Sequence, residues 1–149
     1  DLEMIVKICL STGARWGEAE KLKRSQITAG KITFIKTKGK RNRTIPLDTE
    51  IIAELPKKNG ALFSPCYYAF RSALARAGID LPAGQLTHVL RHTFASHFMM
   101  NGGNILVLQK ILGHTDIKMT MRYAHFAPNH LEEALKLNPL KCRKSVAQT

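Results

Sequence analysis

Leu86-Thr87-His88-Val89-Leu90-Arg91-His92-Thr93-Phe94-Ala95 is the stretch on which the reading of this chain turns. Leu90, Phe94 and Phe98 recur at helical spacing, which predicts an amphipathic helix with Thr87 as its N-cap and Gly102-Gly103 as its stop. His88, Arg91 and His92 stand at i, i+3 and i+4 and so share one face of that helix, opposite the apolar residues. Three potentially cationic groups on one face repel each other, and that costs stability unless an anion lies between them. The alternative is a zinc site, because His88 and His92 have metal-ligand spacing. That pattern needs a Glu after the first His, and the chain has Val89 there. No metal is expected.

Three further clusters flank this one. Thr12-Gly13-Ala14-Arg15-Trp16-Gly17-Glu18 places Arg15 at a helix start after a glycine turn. A cation is poorly matched to a helix N-terminus unless it serves an anion, so Arg15 and the free helix amides are expected to face a phosphate together. Lys31–Ile35 and Arg43–Leu47 are β-type runs joined by the polar stretch Lys36–Asn42, and Pro46 marks an edge strand. The turn carries Lys36, Lys38, Lys40, Arg41 and Arg43 around Gly39, a cationic tip suited to a nucleic-acid groove. Downstream come Leu112-Gly113-His114 and Tyr123-Ala124-His125.

The remaining pattern fills in a mostly helical domain. Helices are expected over 2–11, from Trp16 to Lys23, from an Asp48 cap to Leu55, over 67–77 with Tyr67 and Phe70 inward, from an Asn104 cap to Gly113, and from Asp116 to Ala124. The fold class is therefore mainly α with a small antiparallel hairpin or sheet, an α+β arrangement. Leu131, Ala134 and Leu135 form a short amphipathic tail over 129–140, after the break at Pro128. Residues 141–149 are polar and expected to be disordered.

Charge narrows the partner. Lys and Arg number 23 against 11 Asp and Glu, a formal charge of +12, which points to a polyanion and most often to nucleic acid. A membrane surface would need a basic amphipathic helix or lipidation signal. Three scattered cysteines, Cys9, Cys66 and Cys142, make neither a disulfide framework nor a zinc ribbon. A reducing, cytoplasmic setting is expected. The chain enters directly into an apolar helix, which suggests a domain whose N-terminal neighbours are missing.

Chemically, the clusters suit metal-free and ATP-free transfer of a phosphodiester. Two arginines neutralise charge as it builds on the non-bridging oxygens. A tyrosine is an oxygen nucleophile that can conserve the broken bond as an ester, and histidine and lysine move protons. No Walker-type loop or carboxylate cluster is present for ATP or magnesium, and no cofactor is expected.

With these residues in view, the chain resembles the tyrosine recombinase, or phage integrase, family over about residues 2–128. Thr12–Glu18 resembles the T-G-x-R-x-x-E box, Lys38 with Pro46-Leu47 the hairpin-lysine pattern, and His88–Ala95 the H-x-L-R-H-T-x-A box. Leu112–His114 and Tyr123–His125 resemble the L-G-H and Y-A-H boxes, in family order. The likeness extends to integrases of temperate enterobacterial phages of the Peduovirus type.

The resemblance implies the catalytic-domain fold over 1–128 and the following roles. Arg15 and Arg91 clamp the scissile phosphate, Lys38 protonates the departing 5′ oxygen, and His88 takes the proton of Tyr123. His114 donates to the phosphate, and Tyr123 forms a 3′-phosphotyrosyl bond. Glu18 supports Arg15, and His92 packs or buttresses. Lys36, Lys40, Arg41 and Arg43 bind DNA. It further implies double-stranded attachment-site DNA as partner, a homo-oligomer assembled as a tetrameric synapse, accessory DNA-bending proteins and a bacterial host cytoplasm. The tail helix is expected to bury its apolar face either in its own domain or on a neighbouring protomer. Rival readings are a type IB topoisomerase, a DNA-binding module without chemistry and, last, a metallohydrolase.

Overall fold

A computed structural model describes residues 1–35 and 42–141. Helix α1 (Leu2–Thr12) and helix α2 (Trp16–Glu20) lead through a 3-10 turn (Arg24–Gln26) into the strands. Strands β1 (Ile27–Thr28), β2 (Lys31–Phe34) and β3 (Arg43–Pro46) form one antiparallel sheet in the order β1-β2-β3. Helices α3 (Thr49–Glu54), α4 (Tyr67–Arg76), α5 (His88–Met100), α6 (Ile105–Leu112), α7 (Lys118–Met121) and α8 (Glu133–Leu137) follow, with a 3-10 turn at Ala124–Phe126. The expected class, mainly helical with a small antiparallel sheet, holds. Among the described residues no helix is long and apolar enough to cross a membrane.

The sheet register follows the hydrophobic alternation. Ile32 pairs with Ile45 and Phe34 with Arg43, so Ile32, Phe34 and Ile45 point into the core, and Pro46 lies on an edge strand as its missing N–H requires. The third strand, β1, was not foreseen: two residues are too few to show a period.

Two clusters make up the interior. The larger joins Ile5, Ile8 and Cys9 of α1 to Trp16, Leu22, Ile32, Phe34, Phe70 and Leu90. The smaller joins Ala95 and Met99 of α5 to Leu108, Leu112 and Tyr123. Helix α5 therefore spans both, and Arg91 is buried at their junction.

Several local expectations need correction. Helix α2 ends at Glu20 rather than Lys23, because the chain there turns toward the sheet. Thr87 makes no capping hydrogen bond. Phe94 and Phe98 are only partly buried; Ala95 and Met99 take the inward positions. Tyr67 is exposed, and Phe70 alone of its helix is buried. Asp48 and Asn104 do cap α3 and α6, accepting from Glu50 N and from Leu106 N and Val107 N. In the tail, α8 buries nothing, and Leu131, Leu135, Leu137 and Leu140 are all exposed. Residues 142–149 lie outside the described residues.

Gly13 sits at a close approach of α1 to α5 and α6. It ends α1 at φ +66°, and a Cβ there would meet Phe94 Cδ1 at 2.6 Å and Leu112 Cδ2 at 3.0 Å. Gly60 has a similar φ of +76° with open space around it. Gly13→Ala is expected to cost about 2 kcal/mol or more, left-handed strain plus overpacking, and Gly60→Ala only about 1 kcal/mol. Urea unfolding of the two variants checks this; equal losses would mean that packing at Gly13 is loose.

Candidate active site

Tyr123 precedes the Ala124–Phe126 turn and lies outside any α-helix, because α7 stops at Met121. Its ring is buried in the smaller core cluster beside Leu108 and Leu112. Its hydroxyl points into an open pocket of about 550 Å³ lined by Arg15, His88, Arg91, His92, His114, Lys118, Arg122 and Tyr123. Five groups singled out by residue type and spacing, Arg15, His88, Arg91, His114 and Tyr123, thus meet from four separate parts of the chain. Lys38, Lys36, Lys40 and Arg41 lie outside the described residues.

The two arginines of the pocket are held differently. Arg91 is buried and donates from Nη1 to the Gly13 carbonyl at 2.7 Å and from Nη2 to the Leu112 carbonyl. Both acceptors are helix ends with no intrahelical partner to spare. Burial first, then the charges of Arg15 and Arg43, lower its pKa to about 10, with Glu18 and Tyr123 opposing. A cation so placed gains from an anion in the pocket. Arg15 is the more exposed guanidinium, 3.5 Å from Glu18. The amide of Arg15 donates to the Glu18 carboxylate at 2.8 Å. The amide of Arg15 itself, ahead of the first helical residue of α2, is therefore taken by Glu18.

Glu18 does more than support Arg15. Arg43 grips both its oxygens, Nη1 to Oε1 at 2.8 Å and Nη2 to Oε2 at 2.6 Å. Arg43 also donates from Nε to the Ile111 carbonyl at 2.8 Å and stacks 4.6 Å over the Phe34 ring. This corrects the reading of Arg43 as a DNA-facing cation: it is buried at the inward end of β3, where the alternation turns it away from solvent. Burial alone would raise the Glu18 carboxyl, but the hydrogen bonds of Arg43 and of the Arg15 amide, with both charges, hold it at about 2.

The histidines divide by contact. His114 Nδ1 bonds the buried hydroxyl of Thr120 at 2.8 Å, which fixes the ring from α7. His92 Nδ1 lies 2.5 Å from the Tyr123 hydroxyl, with the rings 5.8 Å apart. His88 lines the same pocket. Burial pushes the Tyr123 hydroxyl upward in pKa, with Arg122 and Arg91 opposing. Lys118 and Arg122 are pocket cations that the sequence reading missed. Their only signal was position, five residues and one residue before the tyrosine. Among the described residues no group of three His, Cys, Asp or Glu is placed to hold a metal.

Comparisons with known proteins agree with this geometry. The phage integrase family profile matches residues 64–130. The chain is 72% identical to the integrase of Escherichia phage 186 over 141 residues, covering 94% of this chain and 42% of that protein. The chain thus spans under half the length of the curated relatives it matches. The solved catalytic domain of bacteriophage HP1 integrase superposes with a TM-score of 0.90 at 66% identity, covering 94% of this chain and 83% of that one. The XerH site-specific recombinase, solved bound to its difH substrate as a post-cleavage complex, matches with a TM-score of 0.67 at 27% identity. That match covers 90% of this chain and 44% of XerH.

The buried pair has a pH signature. The folded Glu18 value of about 2 lies below its ordinary 4.5, so its stabilisation is complete above pH 4.5 and is lost as pH falls toward 2. The loss is about 3 kcal/mol, at about 1.4 kcal/mol per pH unit between the two values. Glu18→Gln leaves Arg43 buried without its counter-charge and should cost a similar amount at pH 7. Its gap from wild type should close on acidification through that window. Unfolding at pH 7 and at pH 3 checks this; a gap unchanged by pH would contradict it.

Proposed function

The chain belongs to the phage integrase family, and from that premise we propose that it is the catalytic domain of a site-specific DNA recombinase. It cuts and rejoins DNA strands by transesterification at Tyr123, without metal or ATP. The single observation that carries this reading is the convergence of Arg15, Arg91, His88 and His114 on one pocket into which the Tyr123 hydroxyl points. A phosphodiester in that pocket supplies the anion its cations lack, and double-stranded DNA is the polymer that a charge of +12 favours. XerH, a site-specific recombinase of the same fold, was solved bound to its difH substrate.

The roles follow from reach and charge. Arg15 and Arg91 bind the non-bridging oxygens and stabilise the charge that builds on them. His114, aimed by Thr120, donates to the same phosphate. Attack by the Tyr123 oxygen on phosphorus expels the 5′ oxygen and leaves a 3′-phosphotyrosyl ester. Lys38 serves the leaving oxygen from the β2–β3 connection. Integration and excision of a phage genome are the setting that the 186 and HP1 integrases suggest.

The tail belongs to the same proposal. Four exposed leucines of the tail complement a groove of about 550 Å³ between α1 and α5, lined by Leu10, Phe94 and Phe98. A short helix is marginal alone in water, and here the tail of one copy seats on the groove of the next within a synapse. His130 approaches the edge of this groove, 3.6 Å from where a Cβ on Gly102 would stand. Truncation after Pro128 should leave a folded, DNA-binding domain with weaker self-association. Size-exclusion with and without duplex tests it, and identical elution in every condition would place the tail on its own domain.

Catalysis is tested on a nicked suicide duplex spanning the attachment core. Tyr123→Phe should fold and bind DNA as wild type does and form no covalent adduct. Arg15→Lys keeps charge but loses the planar fork, and should slow adduct formation about 10²-fold with a far smaller loss of binding. Adduct from the Phe variant, or equal losses in binding and cleavage for the Lys variant, would contradict the assignment.

A further inference from the structure

Attack by Tyr123 requires its proton to go somewhere, and two histidines of α5 line the pocket beside it, His88 and His92. The hydroxyl is engaged by the second. His92 Nδ1 is 2.5 Å from the Tyr123 oxygen, across a gap between α5 and the turn after α7. The rings are tilted by 45°, so the contact is edge-directed rather than a stack. With its own proton on Nε2, the imidazole accepts at Nδ1 and the hydroxyl donates.

We propose that His92, rather than His88, is the proton acceptor for Tyr123 during DNA cleavage. The proposal rests on the reading of Tyr123 as nucleophile. In the forward step the Tyr123 oxygen bonds to phosphorus and its proton passes to His92 Nδ1. The bond from phosphorus to the 5′ oxygen breaks, its electron pair leaves on that oxygen, and a different donor protonates it. On rejoining, the 5′ oxygen attacks phosphorus and gives its proton back to that same donor, the bond from phosphorus to the Tyr123 oxygen breaks, and the His92 imidazolium returns its proton to the departing tyrosine.

The surroundings favour this direction of transfer. His92 faces His88 and Arg91 on its own helix, Arg122 and Lys118 from α7 and the turn after it, Arg15 from the start of α2, and His114 from beyond α6. Burial first, then the charges of Arg122, His88 and Arg91, hold its pKa below the ordinary histidine value, which favours a neutral ring able to take up a proton. Tyr123 is held above the ordinary phenol value by burial, so it enters the reaction protonated and needs an acceptor. A bound phosphate offsets the cations and makes the transferred proton cheaper to hold on His92.

The test is single-turnover adduct formation on the nicked attachment-core duplex, with a normal scissile phosphate and with a 5′-bridging phosphorothiolate, whose sulfur leaves without a proton. His92→Asn keeps an acceptor oxygen near the position of Nδ1 but cannot take up a proton. It should slow cleavage about 10²-fold, the lower end of general-base contributions, and the sulfur leaving group should not restore it. Its pH–rate profile should lose the acid limb that wild type shows as His92 protonates. Cleavage within about threefold of wild type, or recovery with the sulfur substrate, would overturn the assignment. Should His92→Asn melt early, the wild-type protein decides by ¹⁵N NMR of its imidazoles: His92 protonated at Nε2 and bare at Nδ1 is expected at pH 7, and the reverse tautomer overturns it. Wild type forming no adduct at all would instead overturn the reading of Tyr123, and His92 with it.

Discussion

The structure depends on how two buried arginines end one helix. Ile111 and Leu112 are the last residues of α6, and their carbonyls have no intrahelical donors left. Arg43 of β3 takes the first and Arg91 of α5 takes the second. The remaining nitrogens of Arg43 close on Glu18 of α2, and Arg91 reaches the carbonyl that ends α1 at Gly13. One polar seam therefore ties the sheet, α1, α2, α5 and α6 together between the two apolar clusters. Charges buried this way cost several kcal/mol unless each finds partners, so the seam tolerates few other arrangements of these elements.

That seam also builds the pocket. Among the described residues Glu18 is the one carboxylate of that seam, and Arg43 takes both of its oxygens, so Arg15 and Arg91 keep most of their charge for something else. The surplus is arranged around the Tyr123 hydroxyl, with His114 braced by Thr120 and His92 on the hydroxyl itself. Preorganised donors of this kind need not move when charge develops on a phosphate, which is the economical way to stabilise such a transition state. Stability and chemistry draw on the same residues here: a change at Glu18 is felt in the fold through Arg43 and in the pocket through Arg15.

Much of this was legible in the chain. The hairpin alternation, the Asp48 and Asn104 caps, the glycine stops and the spacing of His88, Arg91, His114 and Tyr123 all carry local signals that the fold respects. What failed to show has a common cause. Arg43 looked like one more cation of a basic turn, because alternation on a four-residue strand says which residues face together but not that a carboxylate waits on the inner side. Arg91 was placed on a polar face for the same reason, although it is buried between two clusters. The contact of His92 with Tyr123 joins residues far apart in sequence, and Lys118 and Arg122 become pocket residues only once α7 folds against α6 and the turn after it against α5. Propensity and period describe one element at a time, whereas this pocket is a property of how four elements meet.

The central claim is that this seam presents a single nucleophile, Tyr123, to a DNA phosphate. The direct measurement is to trap the chain on a nicked attachment-core duplex, digest protein and DNA, and identify by mass spectrometry the residue and the linkage. A nucleotide joined through its 3′ phosphate to Tyr123 is predicted. A 5′ linkage, or attachment to Tyr67 or Tyr68, would contradict the account.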